Sequence, residues 1–410
     1  MAATLVTTLP NQDNLIFAGN LPHLQFSGVS TDDGMVFKLF FSDLPLSPVI
    51  ILDETIFPDS DGNVSIKIRS VVHLAMQHEM PSSDLFVQSK AKRRLTISYD
   101  ETTYNIYVIK GGLFIPESEY GSYDYNLFAT TNLLSWMPAD RKVKYREPVF
   151  LNYYNVQAGT QLYATAYRVN DTGTLEGTEF SLYVSLPQIN TLFTIDVSFN
   201  KLMTASPFES GVIAFDLYMK NGSKITNTQR VTLINEFDEY DDVFAFSNSL
   251  GGFETIRMTG KRVANEQHSP IIYKDHDNKE IEYENKFLRS FSKSTGWFDG
   301  DAYRKWISEF YTSSFRFHMR VASDQFVFER ILITSLDAKN SRFQINANTF
   351  EFRYANQIPW QLSTRETLTP PNPNDAYASE EIGDTPFSEF NDDFLNQTPL
   401  NQLTDELLNT

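Results

Sequence analysis

Short runs of alternating apolar and polar residues recur along most of this 410-residue chain, with turn-favouring residues between them. In one such run, Val64, Ile66 and Ile68 alternate with polar residues. Successive side chains of a strand point to opposite faces, so the alternation places apolar side chains on one face of a sheet. The pattern predicts a mainly β fold built from several small β-sandwich or barrel-like domains.

A β-hairpin is predicted within residues 233–262. Phe244 and Phe246 share one face of the first strand, and Ile256 lies on the return strand. Between them, the Gly251-Gly252 pair supplies a turn where a positive φ costs little. This hairpin is the clearest local prediction in the chain.

Further hairpins are predicted nearer the N-terminus. The turn signal Asp32-Asp33-Gly34 separates runs at 24–30 and 35–41, and a turn at 100–103 separates runs at 95–99 and 104–110.

One segment departs from the β pattern. Between residues 299 and 313, apolar residues recur at helical spacing, and Asp299 or Asp301 is suited to cap the helix. The sequence therefore predicts one amphipathic helix. The domain prediction is an N-terminal β-sandwich (1–110), a long aromatic loop (111–148), a second β unit (149–206), a hairpin-plus-helix β domain (207–362) and an acidic tail (363–410).

The charge of the chain argues against nucleic acid as a partner. Acidic residues number 52 and basic residues 34, giving a net charge of −18, which opposes binding to a phosphate backbone. A basic cluster at Lys90, Lys92, Arg93 and Arg94 is the one local exception. It is interpreted as a charged, exposed strand edge, which discourages pairing with other chains.

Targeting features and cysteine are both missing. The sequence contains no Cys, which removes disulfides and thiolate metal sites. Its start lacks the basic and apolar regions of a signal peptide, and no run approaches about 20 apolar residues. We expect a protein made and kept in a cytoplasm, without membrane insertion.

Two segments carry candidate partner contacts. One is the aromatic loop, where the tyrosines and Trp136 either bind a partner or cover a junction between domains. The other is the acidic tail, which is disordered alone and either stays so or orders against a partner. The candidate interface residues are Tyr120, Tyr123, Tyr125, Trp136, Phe387, Phe390, Phe394, Leu400, Leu403 and Leu407.

No spacing in the sequence selects a catalytic, cofactor or metal site. His73 and His78 lie five residues apart, whereas a helical zinc pair requires four. An acidic run at 236–242 is the best cation candidate, but it lacks EF-hand spacing and is interpreted as a solvated acidic turn. A carboxylate pair for polysaccharide hydrolysis stays an open alternative without identified members. We therefore expect a protein that is not an enzyme.

Three segments carry a resemblance to a known group of proteins. They are the hairpin sequence from Phe244 to Gly260, the segment Phe57-Pro-Asp-Ser-Asp-Gly62 before an alternating strand, and the helix at 299–313 with the strands that end at Phe350-Glu-Phe-Arg-Tyr354. Together they resemble tail-associated virion proteins of tailed bacteriophages that infect Bacteroides-type gut bacteria, including the crAss-like group.

The resemblance implies a noncatalytic structural component of the tail, acting as a hub, ring or adaptor. It further implies homo-oligomeric contacts and other virion proteins as partners, with assembly in the host cytoplasm. The family brings no catalytic residues and no cofactor. The alternative is a carbohydrate-binding surface protein of a gut bacterium, with Trp136 and Trp297 as aromatic platforms.

Overall fold

The computed structural model describes residues 3–43, 48–170, 173–182, 185–235, 240–274, 276–298, 300–322, 325–338 and 347–356. Over these residues the fold is mainly β, with strands arranged in five sheets. The predicted acidic tail lies outside the described residues, as do Phe387, Phe390, Phe394, Leu400, Leu403 and Leu407.

The N-terminal part contains a five-stranded sheet in the order β2-β9-β8-β4-β5 and a three-stranded sheet in the order β1-β3-β6. Phe26 joins the two sheets, since its ring centroid lies 6.1 Å from that of Phe37 and 5.0 Å from that of Tyr99. A common apolar core lies between them. The elements are β1 (Thr4–Leu5), β2 (Leu15–Phe17), β3 (Leu24–Ser27), β4 (Met35–Phe41), β5 (Val49–Ile56), β6 (Val64–Ile66), α1 (Arg69–Ala75), β7 (Leu85–Val87), β8 (Lys92–Tyr99) and β9 (Thr102–Ile109).

Strand pairing in this part confirms one predicted hairpin and corrects another. β8 and β9 pair around a turn with Asp100 at a φ of 46°. The hairpin predicted around Asp32-Asp33-Gly34 is wrong: β3 pairs with β1 and β6, whereas β4 pairs with β5 and β8. The turn forms, with Gly34 at a φ of 69°, but it passes the chain from one sheet to the other.

The middle part forms a six-stranded sheet, with β10-β17-β15-β12-β13 in order and β16 paired to β15, and a three-stranded sheet in the order β11-β14-β7. The segment predicted as a long loop contains a helix and a strand of its own, α2 and β10. The elements are α2 (Tyr125–Thr131), β10 (Asp140–Val143), β11 (Phe150–Asn155), β12 (Gln161–Val169), β13 (Leu175–Ser181), β14 (Thr191–Asp196), α3 (Phe199–Ala205), β15 (Val212–Asn221), β16 (Ser223–Lys224) and β17 (Gln229–Leu233).

The C-terminal part is a seven-stranded sheet in the order β19-β18-β22-β23-β24-β21-β20. The predicted hairpin is confirmed, because β18 and β19 pair from Asp242 with Met258 to Ser247 with Phe253. The elements are β18 (Asp242–Ser247), β19 (Phe253–Met258), β20 (Arg262–Lys274), β21 (Glu280–Ser294), α4 (Asp301–Thr312), β22 (Arg316–Ala322), β23 (Gln325–Asp337) and β24 (Thr349–Tyr354).

The helix α4 packs on this sheet through its apolar face. The ring of Phe310 is fully buried, 5.5 Å from the ring of Phe244 and 5.4 Å from that of Phe350. Asp301 does not cap the helix as predicted: the residue before the helix is Gly300, and Asp301 lies in the first turn, where its carboxylate pairs with Arg304. Asp299 lies outside the described residues.

The Gly251-Gly252 turn packs against the rest of the chain. Gly251 has a φ of 86°, and a Cβ there would overlap Ile109 and lie 3.0 Å from the carbonyl oxygen of Lys110. A Cβ at Gly252 would overlap the buried side chain of Asn152. The glycines therefore allow close contact between the hairpin and two other parts of the chain, in addition to forming the turn.

Sheets join the segments that the sequence divides. β7, from the predicted N-terminal domain, pairs with β14, and β12 pairs with β15 across the predicted boundary at 206. β10, from the predicted loop, pairs in parallel with β17. The predicted domain limits stay a prediction, to be weighed against these shared sheets.

Candidate functional site

Asp241 and Asp242, at the end of the acidic run at 236–242, belong to a buried ionic network. Asp241 is 3% exposed, and its Oδ2 atom lies 2.7 Å from Lys144 Nζ and 3.1 Å from Arg257 Nη1. Next to this group, Arg141 Nη2 donates to Glu147 Oε1 at 2.7 Å, and both side chains are buried. Through the pair between Asp241 and Lys144, this group of charges connects the segment that follows β10 to the β18–β19 hairpin.

Asp242 is the centre of a second group of charges. Its carboxylate lies 2.7 Å from Arg262 Nη1, 2.7 Å from Lys293 Nζ and 3.0 Å from His318 Nε2. Burial disfavours the charged carboxylate, but Lys293, His318 and Arg262 together hold the pKa of Asp242 well below its usual range. The interpretation as a solvated turn is therefore wrong for Asp241 and Asp242; Glu236, Asp238 and Glu239 lie outside the described residues.

His318 is locked between two partners. Burial, together with Arg262 and Arg320, lowers the pKa of His318 despite the facing Asp242. Burial raises the pKa of Tyr354 to about 12. With a neutral imidazole, Nε2–H donates to Asp242 and the Tyr354 hydroxyl donates to Nδ1 at 2.7 Å. The two hydrogen bonds connect β18, β22 and β24, and the His318 side chain between them is 2% exposed.

Glu254 joins three elements. Trp306 Nε1 of α4 donates to its Oε2 at 2.6 Å, the backbone N–H of Trp136 donates to Oε1 at 3.3 Å, and Asn248 donates to the same oxygen. Burial raises the pKa of Glu254, while these donors act in the opposite direction. The carboxylate is fully buried and serves as an acceptor that connects the hairpin, α4 and the segment around Trp136.

The prediction of an exposed strand edge is wrong for three residues of the basic cluster. Lys92, Arg93 and Arg94 lie on β8, which has neighbours on both sides. Arg94 Nη2 lies 2.8 Å from Asp13 Oδ1, Arg93 pairs with Asp43, and Lys92 Nζ lies 4.1 Å from the ring centroid of Tyr107. Acidic and aromatic neighbours thus engage these cations within the chain.

Within the described part of the chain, no group of three or more His, Cys, Asp or Glu side chains is placed to hold a metal ion. Across the same residues, no helix combines the length and apolar character needed to cross a membrane.

Two of the described partner candidates, Tyr125 and Trp136, make contacts within the chain. Tyr125 is 1% exposed and donates its hydroxyl to the carbonyl of Tyr120 at 3.0 Å, with the Tyr123 ring 5.0 Å away. Trp136 donates Nε1 to Ser249 Oγ at 2.8 Å and packs against both large apolar cores. For Tyr125 and Trp136, this geometry fits the interpretation that the aromatics cover an internal junction.

A long hairpin that the sequence pattern does not predict projects from the seven-stranded sheet. β20 and β21 pair continuously from Arg262 with Lys293 to Lys274 with Glu280, apart from one bulge. β24 pairs with β21 only at Phe291–Ser294, so among the described residues the hairpin extends beyond its third strand. We call residues 265–290 of this hairpin the arm. At about 3.4 Å per residue, its ten residues on β20 span about 34 Å.

The comparisons with known proteins do not assign a role to these residues. No family model matches the sequence, and no curated protein matches it. One solved structure, described as the virion of a native gene transfer agent particle, aligns with 15% identity over 27% of this chain and 88% of its own. The TM-score is 0.19, which does not establish a shared fold.

Proposed function

We propose that this chain is a noncatalytic structural component of a phage tail, a hub, ring or adaptor that assembles through multi-copy protein interfaces. The observation that carries the proposal is the arm. A two-stranded hairpin is marginally stable by itself in water, and contact with other chains would supply the packing that a third strand normally gives. An element of this kind suits a protein that joins neighbours.

The buried ionisable groups support a noncatalytic role. His318 and Glu254 have shifted pKa values, which is often a sign of an active site. Here both are enclosed by their hydrogen-bond partners, at 2% and 0% exposure. Their placement connects strands and a helix, so the shifts are explained by burial within the fold.

The tail location, the homo-oligomer, the other virion proteins as partners and the assembly in the host cytoplasm belong to the same proposal. They rest on the resemblance of the hairpin from Phe244 to Gly260 and of the two segments that accompany it. The confirmed β18–β19 pairing gives that sequence pattern a structural reason, because its two glycines meet neighbouring parts of the chain.

One observation favours the second candidate, a carbohydrate-binding surface protein. Trp297 is 77% exposed, and a flat aromatic face of this kind is suited to stack on a sugar ring. Trp136 is the other proposed platform. Lys305 Nζ lies 3.3 Å from the centroid of its ring, so the ammonium group already occupies one face of the indole.

Light scattering of the purified full-length chain, combined with a glycan array, separates the two candidates. The structural role predicts a stable oligomer that is silent on glycans. A strict monomer that binds a glycan, and loses binding in Trp297→Ala, would contradict it and support the second candidate.

A further inference from the structure

The turn of the β18–β19 hairpin, residues 248–252, is inserted into the N-terminal part of the fold. Leu250 is 1% exposed and belongs to the core that the two N-terminal sheets share. The amide of Gly112 donates to the carbonyl of Ser249 at 2.8 Å, and a Cβ at Gly111 would overlap the same oxygen. The turn is therefore held by close backbone contact as well as by the burial of Leu250.

His78 lies beside this turn. Its ring stacks on that of Phe315, with 6.4 Å between the centroids, and makes a hydrogen bond to the backbone of Gly251. The Nδ1 atom of His78 is buried and has no hydrogen-bond partner among the described residues. A neutral Nδ1 leaves only a lone pair unused there, whereas a protonated Nδ1 would be a buried N–H without an acceptor.

The charges that act most strongly on His78 have one sign. The ammonium of Lys110 donates to the carbonyls of His73 and Met76 at 2.6 and 2.8 Å, which fixes it at the end of α1. Burial lowers the pKa of His78 to about 3, with smaller contributions from Lys110 and His73 in the same direction. The bond to Gly251 acts in the opposite direction.

The other charged groups near the ring already have partners or add positive charge. Glu79, the next residue in the chain, pairs with Lys90 at 3.2 Å. Glu309 of α4 accepts from the amide of Ser249 at 2.8 Å. Arg316, at the start of β22, adds a further cation. Both carboxylates are thus engaged elsewhere when the histidine takes up a proton.

We propose that His78 is a proton-operated lock on the turn: the neutral ring keeps residues 248–252 inserted in the N-terminal core, and protonation of the ring in mild acid releases them. Release lets the imidazolium reach water and separates it from Lys110. The contact between the N-terminal sheets and the hairpin opens, while the strand pairing within each of them is retained. This inference concerns a conformational change and does not depend on the proposed tail role.

The size of the effect follows from the difference between the inserted and the released state. In the released state the ring has the ordinary histidine pKa of about 6.5, whereas its pKa in the inserted state is about 3. A group of this kind favours the inserted state fully above pH 6.5, and that preference is lost as acid is added. Between about pH 7.5 and about pH 5.0, the ratio of released to inserted molecules should therefore rise about 30-fold.

Amide hydrogen exchange of the full-length chain tests the lock, with rates corrected for the intrinsic effect of pH. The reporter is the Gly112 amide, because its acceptor, the Ser249 carbonyl, moves away when the turn is released. Its opening constant should rise about 30-fold from about pH 7.5 to about pH 5.0. Amides in the paired strands β12 and β15 should change by less than about threefold.

Two variants and a matched control separate the ring from other acid effects. His78→Gln keeps a donor for Gly251 but cannot be charged, so the rise at Gly112 should fall below about threefold. Lys110→Met removes the neighbouring cation and should make the rise smaller than in wild type. The control, His268→Gln, removes an exposed histidine on β20 and should leave the rise unchanged.

Two results would overturn the lock. One is an equal rise at Gly112 in wild type and in His78→Gln. The other is a rise of the same size at Gly112 and in β12 and β15, since acid would then unfold the chain as a whole without first releasing the turn. The second result is measured on the wild type alone, so it decides the question even if the variants fold poorly.

Discussion

Replacing Asp242 with Asn tests whether the ionic network holds the base of the arm. Asp242 lies at the start of β18, and its partners Arg262 and Lys293 lie on the two strands of the arm hairpin. Lys293 is fully buried, so the substitution leaves a buried ammonium without its carboxylate. Removing one partner of a buried ion pair costs about 3–5 kcal/mol, whereas an exposed pair contributes about 0–1 kcal/mol.

Urea denaturation of Asp242→Asn should therefore show a free energy of unfolding about 3–5 kcal/mol lower than wild type. The matched control is Asp53→Asn, which makes the same change in an exposed pair with Lys38, and it should lose less than about 1 kcal/mol. Hydrogen exchange should also rise at the base of β20 and β21. Equal, small losses in both variants would refute the idea that the network stabilises this region.

The other predictions address the turn, the pH dependence and the tail. Gly252→Ala should destabilise the fold by about 1–3 kcal/mol in denaturation, because the methyl group displaces buried Asn152, whereas Gly112→Ala meets only an ordinary contact at 3.4 Å. Burial, together with Lys110, lowers the pKa of His78 to about 3. This folded-state pKa is below the unfolded value of about 6.5. The neutral, buried His78 therefore contributes its full share to the free energy of unfolding above pH 6.5, and that share falls on acidification by up to about 1.4 kcal/mol per pH unit. His78→Phe should flatten that slope between about pH 6.5 and pH 5, and a slope equal to that of wild type would contradict the assignment. Deleting residues 367–410 should leave the thermal transition intact but weaken assembly; unchanged assembly would reject docking by the tail.

Local turn chemistry explains which hairpins the sequence reveals. The β18–β19 and β8–β9 hairpins combine alternating residues with a short turn, and both signals lie within a few residues. At Asp32-Asp33-Gly34 the same signal marks a real turn but gives the wrong pairing. The sequence specifies that the chain reverses there; whether the next strand joins the same sheet depends on the distant strands β6 and β8.

The ionic network could not be predicted because its partners are far apart in sequence. Asp241 meets Lys144 and Asp242 meets Lys293, whereas the acidic run has no basic residue within it. The high local density of negative charge therefore predicts solvent-exposed carboxylates. The cations that neutralise Asp241 and Asp242 are brought close only by the tertiary fold. Burial of a carboxylate with cations on three sides is a property of sheet packing.

For the arm, the sequence contains a turn signal but no clear signal for the strands. The sequence Asp275-His276-Asp277-Asn278 is composed of residues that favour turns, and Asn278, which lies between β20 and β21, has a φ of 59°. The strand β20 does not show a clear β pattern in the sequence because both of its faces are exposed and rich in polar residues. Sorting residues 262–274 by alternate positions would have separated an uncharged row from a charged row.

The central claim is that this chain is a structural component of a phage tail present in several copies. Quantitative mass spectrometry of virions separated into heads and tails tests it most directly. If the proposed role holds, the protein is found in the tail fraction, in a fixed multiple-copy ratio to other tail proteins. Its absence from purified virions, or its presence only in the infected-cell lysate, would rule that role out.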